Sequence, residues 1–396
     1  MSFNELGLSP DLCKTVASLG YTIPTSIQSQ TIPVLLRGRD LMAGSQTGTG
    51  KTAAFALPMI QRLLIDGGPR RATPGKPRAL VLVPTRELAA QVHDSFRKYG
   101  RHVGLLSTAI VGGAGMRPQV QALQRSLDVV VATPGRLLDH MQQRTVNLSG
   151  IEILTIDEAD RMLDMGFIPA IRRILQTLPT QRHTLLFSAT FVQEIKDIAA
   201  QFMKDPVQIQ VAGANAVAAK IAHRAHPVTA ERKRDLVVHL LNKDRRQTLI
   251  FCRTKHGSDR LCRHLSAGGF SVDAIHGDKS QSARTRSLQD FKFGRTRVLV
   301  ATDVAARGLD IQQLPMVINF DLPMVPQDYI HRIGRTGRAG NEGQAISLVS
   351  REEQSLLRDI EGLLRQKVEI VAVNGFEAPA PVNVLTRRFR PRRSFR

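Results

Sequence analysis

The chain has 396 residues, 42% of them hydrophobic, and its 55 lysines and arginines against 34 acidic residues give a net charge of +21. This length predicts two or three domains, and the absence of any run of about 18 apolar residues argues against a membrane-spanning helix. The stretch MSFNELGLSPDL lacks the features of a secretion signal, and the three cysteines have no CxxC spacing. We therefore expect a cytoplasmic protein without disulfides or a zinc site.

The positive charge is concentrated in the second half of the chain. Residues 211–396 carry 32 lysines and arginines against 18 acidic residues. Such an excess predicts a polyanionic partner, either nucleic acid or an anionic membrane surface, although a merely basic enzyme is the alternative. Because aromatic residues make up only 5% of the chain and tryptophan is absent, we expect contacts with a nucleic-acid backbone rather than base stacking.

Short apolar runs alternate with amphipathic helical stretches in the first half. Nearly continuous apolar strands between helices predict a parallel sheet that is covered on both faces. The predicted strands are 39-RDLMAGS, 79-ALVLVPT, 107-STAIVGG, 128-DVVVATP, 151-IEILTIDEAD and 183-HTLLFSAT.

The alternation restarts after about residue 220, with strands at 247-QTLIFCRT, 271-SVDAIHG, 296-TRVLVATD, 315-PMVINFDLP and 343-GQAISLVS. We predict an α/β fold of two doubly wound domains, 1–211 and 221–376, joined by a linker at 212–220. Residues 377–396 have six arginines among the last ten residues and predict a disordered basic tail that tethers nucleic acid. Ligands of such sheets bind at the carboxyl ends of the strands.

A phosphate-binding loop is predicted at 45-SQTGTGKT, which follows a strand and opens a helix. Ser45 occupies the position where the usual pattern has glycine. Backbone N–H groups of the loop would bind phosphates, Lys51 would reach the β- and γ-phosphates, and the Thr52 hydroxyl would bind Mg²⁺. The predicted nucleotide contacts of this loop are Gln46, Thr47, Gly48, Thr49, Gly50, Lys51 and Thr52.

Carboxylates directly follow an apolar strand in 153-ILTIDEAD. A phosphate-binding loop needs a second group for Mg²⁺ and another to activate water. Asp157 suits the metal, largely through bound water, and Glu158 suits the general base. An acidic helix start without catalytic function is the alternative.

The tetrapeptide Asp157-Glu158-Ala159-Asp160 and its companion motifs resemble the DEAD-box RNA helicases of helicase superfamily two, over nearly the whole chain. The resemblance implies two tandem RecA-like domains, ATP and Mg²⁺ as cofactors and RNA as partner. The N-terminal stretch, 276-HGDKSQSARTRSL and the basic tail look most like the bacterial RhlE-type group. This likeness implies a role in ribosome assembly or RNA turnover, with ribosomal or RNA-degradation proteins as possible partners.

The stretch 20-GYTIPTSIQ resembles the Q motif of this family, with Ser26 where a proline is usual. Gln28 has the donor and acceptor that match the adenine edge. Phe3 is the isolated upstream aromatic that could stack on the base, although core packing is its simpler interpretation.

Three motifs of the first half, 84-PTRELA, 112-GG and 133-TPGR, resemble the family's RNA motifs. An ordinary helix cap at Thr85 is the alternative. The RNA contacts implied are Thr85, Arg86, Gly113, Thr133, Gly135 and Arg136. Ser188-Ala189-Thr190 resembles the SAT motif, whose Ser188 and Thr190 hydroxyls could bond to Asp160 and couple hydrolysis to domain closure.

The stretches 281-QSAR, 302-TDVAARGLD and 331-HRIGRTGR match the family's later motifs. The resemblance makes Arg335 and Arg338 the arginine fingers and directs His331 toward the DEAD segment. Asp310 would accept from the ribose hydroxyl. The second-domain candidates for RNA binding are Arg253, Arg284 and Thr302.

These motifs predict an RNA-dependent ATPase in which ATP and RNA close the cleft between the domains. Closure would bend the bound strand and locally separate short duplexes or remodel RNA–protein complexes. A DNA helicase of the same superfamily and an ATP-gated RNA clamp are the alternatives. The sequence is silent on the natural RNA and on the oligomeric state.

Overall fold

A computed structural model describes residues 2–44, 49–66, 72–211, 221–306, 311, 314–336 and 343–376. Several sequence predictions lie outside these residues. They are the linker 212–220, the tail 377–396, and the roles of Ser45, Gln46, Thr47, Gly48, Asp310 and Arg338.

Seven parallel strands form the first sheet, in the order β3-β4-β2-β5-β6-β1-β7. They are β1 (Leu41–Gly44), β2 (Ala79–Leu82), β3 (Ser107–Ile110), β4 (Val129–Ala132), β5 (Ile153–Ile156), β6 (His183–Ser188) and β7 (Val207–Gln210). The edge strand β7 is not among the predicted strands. Because it is half exposed, its sequence VQIQ lacks the continuous apolar run of the others.

Helices connect these strands and cover both faces of the sheet. They are α1 (Pro10–Ser18), α2 (Ser26–Leu36), α3 (Lys51–Ile60), α4 (Arg86–Tyr99), α5 (Met116–Leu123), α6 (Pro134–Gln142), α7 (Ala159–Asp164), α8 (Ile168–Leu175) and α9 (Gln193–Phe202). Strand β2 shows why helices must cover both faces of the sheet. Ala79 and Val81 pack into one hydrophobic cluster and Leu80 and Leu82 into another, all with 0% exposed surface.

The second sheet repeats the topology of the first, in the order β10-β11-β9-β12-β13-β8-β14. Its strands are β8 (Ile221–Pro227), β9 (Thr248–Cys252), β10 (Val272–Ile275), β11 (Val298–Thr302), β12 (Met316–Asn319), β13 (Gly343–Val349) and β14 (Glu369–Ile370). Strands β8 and β14 were not predicted. Histidine and arginine interrupt the apolar pattern of β8, and β14 has only two residues.

The helices of the second domain are α10 (Lys233–Lys243), α11 (Lys255–Ala267), α12 (Gln281–Lys292), α13 (Asp303–Ala306), α14 (Pro326–Ile333) and α15 (Gln354–Leu364). Side chains at their N-termini explain two of the starts. The Thr254 hydroxyl accepts the Gly257 N–H at 3.0 Å, and the Ser280 hydroxyl accepts the Ala283 N–H at 3.3 Å.

Two seven-stranded parallel sheets with helices on their faces confirm the predicted α/β fold. No helix in the described part of the chain is long and apolar enough to cross a membrane. The carboxyl ends of the two sheets face a common cleft, because α4 and α12, which follow such ends, make direct contact. Arg284 Nη2 lies 2.9 Å from Glu87 Oε2 across this cleft.

Candidate active site and nucleic-acid interface

A cavity of about 900 Å³ lies between the two domains. Residues from the start of α3 and the end of β5 form one side of it, and Lys292 and Arg335 of the second domain also line it. The predicted site residues in its wall are Gln28, Thr49, Gly50, Lys51, Thr52, Asp157, Glu158 and Arg335. The fold therefore brings together in one cavity side chains that are up to about 300 positions apart in the sequence.

Gln28 holds the start of α3 in place. Its Nε2 donates to the Gly50 carbonyl at 3.2 Å, and its Oε1 accepts the Thr25 N–H at 2.9 Å. Gly50 has a φ of +91°, and a Cβ there would lie 2.5 Å from Gln28 Nε2. Glycine is thus required at position 50, both for its backbone conformation and for the close approach of Gln28.

Phe3 and Tyr21 lie in different environments, and Tyr21 had no predicted role. Phe3 is only 5% exposed and packs in the hydrophobic core with Leu6 and Leu12, outside the wall of the cavity. Tyr21 lies in that wall, with its hydroxyl 3.3 Å from the Tyr99 hydroxyl. The structure therefore places Phe3 as the simpler interpretation had it and presents a different aromatic ring to the cavity.

Asp157 is a buried carboxylate beside a buried lysine. Its Oδ1 lies 3.8 Å from Lys51 Nζ, and 2% of the residue is exposed. Burial raises the pKa of Asp157 to about 6, against the opposing effect of the Lys51 charge. The same Oδ1 is buried without a hydrogen-bond partner among the described residues. An unsatisfied carboxylate oxygen in a cavity wall that Thr52 also lines fits the oxygen ligands that Mg²⁺ requires.

Glu158 has a strained backbone and a charged environment. Its φ of 57° is in the left-handed region, which is rare for a residue with a side chain. Burial opposes its ionisation, but the charges of Arg161, Lys51, Arg335 and His331 outweigh burial and place the pKa of Glu158 below its usual value. One of these groups, Arg161 Nη1, is 3.2 Å from Glu158 Oε2. Glu158 is thus a carboxylate at neutral pH.

The second domain presents Arg335 to this carboxylate. Arg335 follows α14, is 5% exposed, and lines both the main cavity and a small adjoining cavity that Arg161 and His331 also line. His331 therefore lies near the DEAD segment. Its Nδ1 is 3.7 Å from Asp328 Oδ1 and accepts or donates no hydrogen bond among the described residues.

Arg332 of the same motif has a structural position that sequence reasoning missed. It is 1% exposed and binds both Asp303 oxygens, at 2.6 and 2.7 Å. Its Nη1 donates to Asn319 Oδ1 at 3.1 Å. Arg332 thus fixes α14 against the ends of β11 and β12, and so holds Arg335 toward the first domain. The spacing of the arginines gave no signal of which one would be buried.

Asp160 joins the DEAD segment to the segment after β6. Its Oδ2 accepts the backbone N–H groups of Ala189 and Thr190, at 2.9 and 3.1 Å. The Ser188 hydroxyl accepts the Asp160 N–H at 3.3 Å and donates to the Thr190 carbonyl at 2.5 Å. Asp160 is thus joined to this segment, with backbone amides rather than the Thr190 hydroxyl bound to the carboxylate.

The candidate RNA residues of the first domain meet at the ends of β2, β3 and β4. A Cβ on Gly113, whose φ is +72°, would lie 2.0 Å from Arg86 Nη1, so Arg86 lies directly over this glycine. Arg136 Nη1 donates to the Ala114 carbonyl at 2.9 Å, and the Thr133 hydroxyl accepts the Gly112 N–H at 3.4 Å. These contacts bring Arg86, Thr133 and Arg136 to the same loop, residues 112–114, at the carboxyl edge of the sheet.

Thr85 and Gly135, two other candidate RNA residues, differ in their surroundings. The Thr85 hydroxyl caps α4 by accepting the Leu88 N–H at 3.2 Å, which is the alternative that the sequence left open. Gly135 has open space where a Cβ would stand.

The candidate RNA-binding residues of the second domain differ from one another in their contacts and in their exposure. Arg284 binds Glu87, and Gln281 Nε2 also donates to Glu87 at 3.0 Å. Arg253 Nη2 lies 3.2 Å from Glu353 Oε1, with 42% of its side chain exposed, and Thr302 ends β11 as a buried residue. Glu87 was missed because a glutamate in the first turn of a helix looks like a favourable charge at a helix N-terminus.

Comparisons with known proteins agree with this geometry. The model of the DEAD/DEAH box helicase family matches residues 25–198, and the model of the helicase conserved C-terminal domain matches residues 232–340. The chain is 42% identical over 371 residues to the ATP-dependent RNA helicase DbpA of Bacillus subtilis, covering 93% of this chain and 76% of that protein. It is 41% identical to DEAD-box ATP-dependent RNA helicase 30 of Arabidopsis thaliana, of which it covers 63%.

Solved structures show the same fold. Dbp5 of S. cerevisiae bound to RNA and ADP BeF3 superposes with a TM-score of 0.83 at 35% identity, covering 94% of this chain and 95% of that chain. A DEAD box protein from Methanococcus jannaschii superposes with a TM-score of 0.53 at 39% identity, covering 94% and 99%. The chain belongs to the family of DEAD-box ATP-dependent RNA helicases.

Proposed function

We propose that the chain hydrolyses ATP in an RNA-stimulated cycle that locally separates short RNA duplexes or remodels RNA–protein complexes. One observation carries this proposal. Arg335 of the second domain lines the same cavity as Lys51 and Glu158 of the first. Neither domain alone holds all three groups, so hydrolysis requires the domains to be together.

The charges of the site suit phosphoryl transfer to water. The Glu158 carboxylate accepts the proton of the attacking water, and its lowered pKa keeps it ionised for this task. Lys51 and Arg335 place positive charge where the transferring group gains negative charge, an effect worth roughly 10³–10⁵ in rate for an arginine finger. Mg²⁺, held by Asp157 and Thr52 largely through water, would neutralise the phosphate oxygens.

This surface suits a nucleic-acid backbone, and the similarity to RNA helicases supports the choice of RNA. Arg86, Gly113, Thr133 and Arg136 present guanidinium and backbone groups to phosphates, and such contacts carry no sequence information. The domain arrangement supports a closed, ligand-competent state. The TM-score is higher with the RNA- and ADP BeF3-bound Dbp5 than with the M. jannaschii protein, although the latter is the more similar in sequence.

We further propose the cellular setting that a resemblance to the RhlE-type group implies. The protein would act in the cytoplasm, in ribosome assembly or RNA turnover, with ribosomal or RNA-degradation proteins as partners. We also propose that the chain is divided into two domains, residues 1–211 and residues 221–376.

The test measures ATP hydrolysis by the full chain with RNA, with DNA of the same sequence, and without nucleic acid. RNA stimulation together with displacement of a short RNA strand supports the proposal. The Glu158→Gln variant is the control, since it removes the base and leaves the cavity shape. Equal stimulation by DNA would contradict the choice of RNA. Long ATP-dependent RNA residence without strand displacement would favour a clamp instead.

A further inference from the structure

A second large cavity, of about 710 Å³, lies in the second domain on the side away from the cleft. Met316 and Gln344, at the starts of β12 and β13, line it. The catalytic candidates follow the opposite, carboxyl ends of these parallel strands. The length of the sheet therefore separates this cavity from the ATP site, and the function proposed above does not use it.

The cavity is rimmed by exposed cations. Arg224 of β8, Lys243 at the end of α10 and the following Arg245 all line it. Asp244 is the acidic residue of the described lining, and Arg246 Nε binds both of its oxygens, at 3.0 and 2.9 Å. Lys243 and Arg245 have no ion-pair partner in the part of the chain that the structure describes. Arg224 Nε lies 3.1 Å from Glu369 Oε2, so the uncompensated positive charge of the rim is that of Lys243 and Arg245.

The opposite wall of the cavity is held in a defined position. The buried His226 lies with Nδ1 2.7 Å from the Val371 carbonyl, and because a carbonyl only accepts, Nδ1 carries the proton. The Val371 N–H donates to the Ala225 carbonyl at 2.9 Å. Backbone and side-chain bonds to β8 therefore position this wall.

The basic tail begins beside this cavity. The Phe376 ring packs 5.4 Å from the His239 ring, which lines the cavity, and lies 4.7 Å from the Arg232 guanidinium. The sequence then continues for 20 residues that contain six arginines and one acidic residue. Residues 224–246 carry seven lysines and arginines against three acidic residues. The sequence that follows Phe376 is therefore basic, as is the sequence of residues 224–246.

We propose that this cavity is a second RNA-binding surface, which takes the phosphodiester backbone of a segment that lies outside the cleft. The exposed cations are spread along an open rim, which matches a chain of phosphates better than a single small anion. The proposal rests on the function above, because RNA held in the cleft raises the effective concentration of its own flanks at this surface. Its role is to keep a long substrate bound while the cleft opens and closes.

The test uses the full chain with the double variant Lys243→Glu/Arg245→Glu. The matched control is Arg101→Glu/Arg125→Glu, two exposed arginines before β3 and β4, at the corresponding edge of the first domain. Both variants change the net charge equally. Affinity is measured by fluorescence anisotropy over a range of salt, for a strand that only fills the cleft and for the same strand with a long flank.

The expected result for the flanked strand is a loss of roughly threefold to tenfold in affinity and a decrease of about 1.4 in the salt slope, two contacts of about 0.7 each. The short strand should bind and stimulate ATP hydrolysis as in the unaltered chain. Equal losses in the two variants would show a general charge effect and overturn the proposal, as would an unchanged slope. Absence of RNA stimulation in the unaltered chain would instead contradict the proposed function.

Discussion

The carboxylate of Glu87 in the first domain lies 2.9 Å from the Arg284 guanidinium of the second domain. Both side chains are largely buried in this contact, and Gln281 donates to the same carboxylate at 3.0 Å. Burial lowers the pKa of Arg284 and the Glu87 charge opposes that change. An isolated guanidinium is costly to bury. The closed arrangement, in which the two domains touch at this pair, therefore depends on both Glu87 and Arg284.

We expect Glu87→Gln to destabilise the closed state by about 2 kcal/mol, roughly thirtyfold, because Arg284 loses its counter-charge. Fluorophores on the two domains report closure as ATP and RNA are added. The Glu87→Gln/Arg284→Gln double variant should cost less than the sum of the single variants. Additive costs would show that the two residues act separately, with Arg284 bound to RNA alone.

The pH dependence of nucleotide binding should report Asp157. Its pKa of about 6 lies above the ordinary value, so the proton remains bound until the pH rises through this range. The anionic form that suits Mg²⁺ therefore predominates above about pH 6. Below that pH, the binding of ATP with Mg²⁺ should release a proton from Asp157. We expect the affinity for ATP with Mg²⁺ to fall as the pH is lowered from 7 to 5, measured by calorimetry. Asp157→Asn should bind weakly with no such dependence, and a dependence that survives would exclude Asp157 as its cause.

Gly50→Ala should abolish nucleotide binding. The new Cβ would lie 2.5 Å from Gln28 Nε2, in a backbone conformation that costs an L-residue about 1–2 kcal/mol. Gly104→Ala is the control, because Gly104 has a φ of +72° with open space around it. Both variants should lose similar stability on thermal unfolding, and ATP binding should fail only in Gly50→Ala. Equal ATP affinities would show that the contact with Gln28 is not needed.

Asp160→Asn should uncouple RNA-stimulated ATP hydrolysis from strand displacement. The Asp160 oxygens accept three backbone N–H groups, those of Arg161, Ala189 and Thr190. An amide in either orientation turns its NH₂ toward one of these donors, at a cost of about 1–3 kcal/mol. Strand displacement should fall more than RNA-stimulated ATP hydrolysis. Asp197→Asn, on the exposed side of α9, is the control, and a proportional loss of both activities would argue against coupling through Asp160.

Removal of residues 386–396 should weaken RNA binding and lower its salt dependence. Each phosphate contact that is lost reduces the slope by about 0.7 for a single strand. Binding measured over a range of salt concentrations gives this slope directly. An unchanged slope would mean that the arginines of this segment do not bind RNA.

The chemistry of the nucleotide site could be predicted because it is local in the sequence. Gly50, Lys51 and Thr52 are adjacent, and Asp157 and Glu158 follow a continuous apolar run that predicts a buried strand. The set of strands was predicted less completely, since β7, β8 and β14 have no continuous apolar run.

The positions of single side chains depended on tertiary packing. Phe3 went to the core, and Arg332 was buried while Arg335 faced the other domain. The contact between Gln281 and Glu87 joins residues 194 positions apart. No periodicity encodes such a pair, because its energy exists only when two separately folded domains exclude water between them. The sequence by itself thus determined which groups could perform the chemistry, and only the tertiary structure decided which of them meet.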